Sequence, residues 1–394
     1  MTDLQLLLLV LVLIYGWECA CWLRRGSVGF IQWFRGWRLT HPGPLLGNPK
    51  GSFVFSNPIP PLGTILIGNQ LPLSISAESL FAYVASSINP VGRPLQTAQL
   101  IPFKQVERIE ARGRKILVNG ERFLEAASAG LARELVRQLR DLTKLSPAKR
   151  AGAIEALLDD AFDAAGAEKR WRQFQQDTRR LRLIANSLFV YLFVFAPALI
   201  WGVGLKLSWP GLLVGLVAFT GSLAWLFRRE HLKLYPAAED ERFTQFLTVL
   251  LSPATAIRAR DMLTRPLLEN FHPLTIARVV CAPKQFRSLA SAILREIRHP
   301  ALPLCPLADA RAQEAERSWR LLVQNRIEKL LRKSGLDLEE LSGPPAPSDS
   351  ACRSYCPRCL TQFVTEAARC GDCGGLQTVS FNAAMEEKVA WSKP

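Results

Sequence analysis

LIANSLFVYLFVFAPALIWGVGLKLSWPGLLVGLVAFTGSLAWLF, residues 183–227, reads as two apolar runs, 183–205 and 211–227, joined by Lys206-Leu207-Ser208-Trp209-Pro210. Wound as helices, runs of this length approach the thickness of the hydrocarbon core of a bilayer. A buried helical hairpin in a soluble core is the alternative, but two such runs back to back between charged flanks favour a membrane. Arg179, Arg180 and Arg182 precede the first run, Arg228, Arg229 and Lys233 follow the second, and only Lys206 is basic at the tip. Cationic loops stay on the cytoplasmic side, so this bias puts the tip outside and both ends inside. Pro197 predicts a kink in the first run.

Working outward, residues 4–22 form a third apolar run. Met1, Thr2 and Asp3 supply no positive n-region and no small-residue cleavage site follows, so the run reads as an uncleaved anchor. Three transmembrane helices are expected, in the inner or cytoplasmic cell membrane, with the N-terminus outside and the bulk and the C-terminus cytoplasmic. Glu18 is the exceptional ionisable group in these runs and lies close enough to Arg24 to reach the interface. Pumps and channels need more intramembrane charge than this.

The 394 residues suffice for two or three folded units. A hydrophobic share of 49% beside 21% charged residues fits a chain with both membrane and polar parts. Its net charge of +15 favours polyanionic partners, either nucleic acid or anionic headgroups. Position decides between them. No acidic residue occurs between Arg24 and Ala77, while Arg24, Arg25, Arg35, Arg38 and Lys50 alternate with Phe30, Trp33, Phe34 and Trp37. Such a basic, aromatic juxtamembrane segment suits the anionic bilayer surface, with Arg24, Arg25, Trp33, Arg35, Trp37 and Arg38 as contacts. Nucleic acid is not the favoured partner.

Beyond it, apolar β-branched pieces at 51–55 and 63–67 predict strands, and Ser76 predicts an N-cap for a short helix through Leu80, Phe81 and Val84. Asn119-Gly120, between Ile116-Leu117-Val118 and Phe123-Leu124, is a type I′ hairpin signal. Ser128 then caps a helix with Leu131, Leu135, Leu139 and Leu142 at helical spacing. This order of strand, hairpin and closing helix over 95–143 resembles the last half of bacterial pleckstrin-homology-like domains. The resemblance implies a small β-domain that binds protein or lipid and performs no chemistry.

Ser146-Pro147 opens a further helix with the stripe Ile154, Leu157, Leu158, Ala161 and Phe162. Its row of Glu155, Asp159 and Asp163 reads as a solvated face rather than a cation site. After the hairpin, residues 237–300 predict short helices broken at Pro253, Pro266, Pro273 and Pro283. Residues 307–334 predict one long basic helix that packs through Trp319, Val323, Ile327 and Leu330 and ends at Gly335.

The 342–351 stretch SGPPAPSDSA reads as a tether. It leads to YCPRCLTQFVTEAARCGDCGG, residues 355–375, in which Cys356, Cys359, Cys370 and Cys373 form two C-x-x-C pairs with ten residues between them. In a reducing compartment such pairs bind metal rather than form disulfides. Two C-x-x-C turns supply the four thiolates that zinc accepts, and iron is the rival. Gly371, Gly374 and Gly375 let the chain turn beneath the sulfurs. Residues 355–381 resemble the zinc-ribbon family, which implies a structural metal and a function on the ribbon surface.

The expected class is therefore an α+β membrane protein. Its units are an anchor (1–23), a basic aromatic segment (24–49), a β-rich domain (50–145), amphipathic helices (146–182), the hairpin (183–227), a cytoplasmic helical region (228–335), a linker (336–354) and a zinc ribbon (355–394). No phosphate loop, dinucleotide fingerprint or nucleophile elbow occurs, and Cys281 or Cys305 with His272 or His299 is the sole candidate for nucleophilic chemistry. The leading expectation is a membrane scaffold that recruits a partner protein. The alternatives are an enzyme, or the subunit of one, with its site in 230–335, and a membrane-bound nucleic-acid-binding regulator.

Overall fold

A computed structural model describes residues 3–23, 38–40, 52–56, 65–69, 73–88, 94–126, 129–236, 239–264, 267–268, 270–300 and 310–381. Helices and sheets are mixed. Helix α1 (Asp3–Leu23) is followed by three antiparallel three-stranded sheets: β1 (Arg38–Thr40), β2 (Ser52–Ser56) and β3 (Ile65–Asn69); β4 (Leu73–Ile75), β5 (Ser79–Ile88) and β6 (Pro94–Pro102); β7 (Ile109–Arg112), β8 (Lys115–Val118) and β9 (Glu121–Glu125).

The β8–β9 turn is the one the Asn-Gly pair demands. Asn119 and Gly120 have φ of 53° and 86°, the mirror-image turn conformation that Gly and Asn tolerate best. Asn119 also ties the turn inward, its Oδ1 accepting from the backbone of Glu107 and Arg108 at 2.9 and 3.1 Å. Ser76 departs from expectation. It turns a hairpin between β4 and β5, its Oγ accepting from the Ser79 backbone N–H at 3.0 Å, and the predicted helix is strand β5. The same side-chain bond that starts a helix also closes a tight turn, and the long pairing with β6 decides which forms.

Helix α2 (Ala129–Thr143) closes the β-region, burying Leu131, Leu139 and Leu142 as the stripe requires. Ser128 lies outside the described residues. Helices α3 (Pro147–Ala161) and α4 (Ala164–Asp177) lead to the hairpin, whose first arm is α5 (Arg179–Val190), a π-helical turn (Tyr191–Phe195) and α6 (Ala196–Val203). The wide turn has a local cause. Pro197 cannot donate to the preceding turn and its ring crowds the carbonyl four residues back. The chain slips by one, and Ala196 N–H bonds to the Tyr191 carbonyl. Gly204, at φ 86°, reverses the chain, so residues 206–210 are the opening of α7 (Leu205–Leu234) and not a separate turn.

These arms, 25 and 30 residues long, are the two helices among the described residues long and apolar enough to cross a membrane. The expected third is corrected. The described apolar stretch of α1 is Leu4–Gly16, and it is not among the candidate spans. Placing the N-terminus outside relied on that third crossing. Helix α1 lies against the hairpin, with Tyr15 on Phe189 and Phe193 at ring separations of 6.1 and 5.8 Å.

Short helices α8 (Glu239–Leu251), α9 (Pro253–Ile257), α10 (Ala259–Thr264), α11 (Pro273–Val280) and α12 (Pro283–Arg298) follow the proline pattern. The long α13 (Ala310–Lys333) ends at Gly335, which is at φ 73°, and is followed by α14 (Leu338–Ser342). One core runs from β4 through α2, α3, α5 and α7 to α11–α14.

Arg150, 6% exposed, fastens the sheets to the helices. Its guanidinium donates to the carbonyls of Leu142 (2.8 Å), Leu145 (2.7 Å) and Ala77, and it lies 3.9 Å from the Phe103 ring centroid. Arg150→Met leaves these carbonyls without this donor and is expected to destabilise the chain by about 3 kcal/mol. Denaturant unfolding of the detergent-solubilised protein checks it; an unchanged midpoint refutes the role given to this residue.

Candidate metal centre

Each cysteine pair sits in a turn joining two short strands. Strands β10 (Ser354–Tyr355) and β11 (Gln362–Phe363) flank Cys356 and Cys359; β12 (Arg369–Cys370) and β13 (Leu376–Gln377) flank the second pair, and β14 (Val379–Ser380) pairs with β10. The backbone folds under the sulfurs through Leu360 N–H to Cys356 O and Gly375 N–H to Cys370 O, both 2.9 Å. Gly374 and Gly375 need their glycine freedom, at φ 73° and 89°; Gly371 is not among the positive-φ residues. The residue after the second cysteine of the first pair, Leu360, takes the same left-handed conformation at φ 63°. The repeat of the two pairs carried that signal, since Leu360 and Gly374 hold equivalent positions.

All four expected ligands come together, with their sulfurs within 4.8 Å of one another and Cys359 Sγ 3.6 Å from Cys370 Sγ. A tetrahedral zinc ion with bonds near 2.3 Å wants sulfur pairs about 3.8 Å apart, so donor set and spacing suit a metal ion such as zinc. Cys356, Cys370 and Cys373 are buried and Cys359 is exposed. Burial pushes the Cys373 thiol up to about 12 and raises Cys370 as well. At Cys359 burial also opposes ionisation, but Thr361, Cys356 and Cys370 outweigh it and bring the group down to about 7. Four thiolates do not gather here without a cation among them.

The segment before the ribbon is held to it: Gln362 Nε2 donates to Ala346 O and Gln362 Oε1 accepts from Ser348 N–H, both at 2.8 Å. Arg358, inside the first pair, reaches Glu296 on α12 at 2.6 Å. Nothing in the sequence pairs those two, 62 residues apart.

The other expected sites fare differently. Arg24, Arg25, Trp33, Arg35 and Trp37 lie outside the described residues; Arg38 opens β1. Glu155 and Asp159 are engaged by Arg326 of α13 at 3.1 and 3.2 Å. Cys305 is outside the described residues, and burial pushes the Cys281 thiol up to about 12, the reverse of what a nucleophile needs. His272 caps α11, its Nδ1 accepting from Leu274 N–H at 3.2 Å while its ring stacks on Phe162. No family model matches the chain, and neither a curated protein nor a solved structure matches it significantly.

Burial drives His272 down to about 3. The unfolded chain takes up a proton near pH 6.5 that the folded chain refuses until about pH 3, so stability should fall as pH drops through that window. His272→Asn keeps a capping side chain and should flatten that part of the profile in pH-dependent unfolding. For the ribbon, Leu360→Gly removes the left-handed strain and should add about 1 kcal/mol of local stability, read as slower amide exchange across 354–380. Faster exchange would show that packing of the leucine outweighs its strain.

Proposed function

We propose that the chain is an integral membrane scaffold, anchored by the α5–α7 hairpin, whose ribbon carries a structural zinc ion and recruits a partner protein. The observation that carries this reading is the closed set of four cysteine ligands: it fills the zinc shell, leaves no corner for water or substrate, and so serves architecture rather than turnover. Iron would fit the same donors. Zinc is preferred because a structural site needs no redox partner.

The membrane part is supported by what the hairpin leaves uncovered. In the most apolar window of each arm only 22% and 28% is buried, whereas a core hairpin of a soluble protein is mostly covered. Trp201 and Trp209 are exposed near the tip and Trp225 near the other end. Trp209 and Trp225 lie about 24 Å apart along a helix, a spacing that suits the two interfacial belts. Inside the hairpin, Tyr191 Oη donates to Leu212 O at 2.7 Å, and Gly215 leaves room for the phenol ring. The flanking arginines favour a cytoplasmic base and an outside tip, with the ribbon on the cytoplasmic side. An anionic bilayer face is the lipid partner this charge distribution favours.

A chain truncated after Gly343 should remain in alkali-washed membranes, lose its metal and lose its captured partner, while the full chain carries about one zinc per molecule by elemental analysis. Absence of metal, iron in place of zinc, unaltered partners, or labelling of a ribbon cysteine from outside intact cells each count against the proposal.

A further inference from the structure

Two arginines beside the cysteine cage are only partly paired. Arg358 donates through Nη2 to Glu296 and through Nη1 toward Cys373 Sγ at 3.9 Å, yet its buried Nε has no hydrogen-bond partner. Arg295, the neighbour of Glu296 on α12, bonds through Nη1 to Ser291, interacts electrostatically with Cys359, and likewise leaves a buried Nε without a partner. One arginine comes from the ribbon and the other from the helical region, and the first has a donor directed at a cage sulfur. Burying guanidinium N–H groups without acceptors is costly unless an anion lies nearby.

The cage supplies that anion when it is filled. Four thiolates around a divalent ion carry a net charge of about −2, matching the two guanidinium groups. The same face of α12 also grips the start of the linker. Ser291 Oγ donates to Leu341 O at 2.5 Å, and Arg298 Nη1 donates to Ser342 Oγ at 2.8 Å.

We infer that α12 completes the metal centre: Arg295 and Arg358 are counter-ions to the filled cage, Glu296 positions Arg358, and the ribbon is latched to the helical region when metal is bound and released when it is lost. This rests on the metal reading above and adds a regulated contact within the chain.

The test uses the full chain in detergent micelles, with zinc as the probe. Glu296 is exposed, so Glu296→Lys should leave folding and zinc content intact, yet raise amide exchange across 343–353 in the loaded protein to the level of the chelator-stripped wild type. Arg295→Gln should keep one zinc per chain but weaken its binding about tenfold in competition with a chromogenic chelator, the usual size of an outer-shell effect. Because both variants retain metal, unfolding of an empty ribbon does not account for these changes. Normal protection in loaded Glu296→Lys, or unaltered affinity in Arg295→Gln, overturns the latch while the metal reading stands. A wild-type chain that takes up no zinc overturns both.

Discussion

A single buried guanidinium joins the sheets to the helices. Arg150 lies among apolar neighbours with backbone carbonyls as its named acceptors, and those carbonyls belong to three places: the end of α2, the loop after it and the β4–β5 turn. A helix end leaves carbonyls that nothing inside the helix satisfies. Here the next helix satisfies them, and the direction of α3 relative to the sheets follows. The continuous core from β4 to α14 depends on that direction, since Ile154 and Leu158 of α3 belong to the same cluster as Leu73 and Ile75 of β4.

A second set of polar contacts secures the base of the hairpin. Lys233 reaches Asp177 at 2.6 Å across its mouth, and Arg260 of α10 donates to Thr178 Oγ1 at 3.1 Å just before α5 begins. Arg258 and Asp261 pair at 2.5 Å with both side chains almost wholly buried. Pairs of this kind add little net stability compared with apolar packing, but removing one partner strands the other, so they penalise misplacement. The apolar arms, free to slide in a uniform solvent, are thereby fixed to a polar foundation.

At the other end of the chain the physics is reversed. The ribbon's apolar interior is small, its cysteines with Phe363 and Leu376 and the packed rings of Tyr355 and Phe381, too little to hold a fold by burial alone. Its strands are two residues long, and the turns between them bring the sulfurs together. Such a unit takes its order from its cysteine cage and from whatever it leans on. Arg358 serves both, since it faces a ligand sulfur on one side and α12 on the other.

Much of this was legible in one dimension. The two apolar arms, the Asn119-Gly120 turn, the stripe of α2, the proline-broken helices and the four cysteines each rest on local spacing or local backbone preference, which a sequence displays directly. Ser76 was misread because one capping bond serves both a helix start and a tight turn, and only the long pairing of β5 with β6 chooses between them. The carboxylate row on α3 meets Arg326 only when α13 arrives from 167 to 171 residues away. The sequence by itself determined which segments are apolar, which turn and which carry thiols, because those properties belong to residues and their near neighbours. Tertiary structure alone decided what Arg150 caps, what covers α1 and what the cysteine cage leans on, because buried charge finds its partners through space and not along the chain.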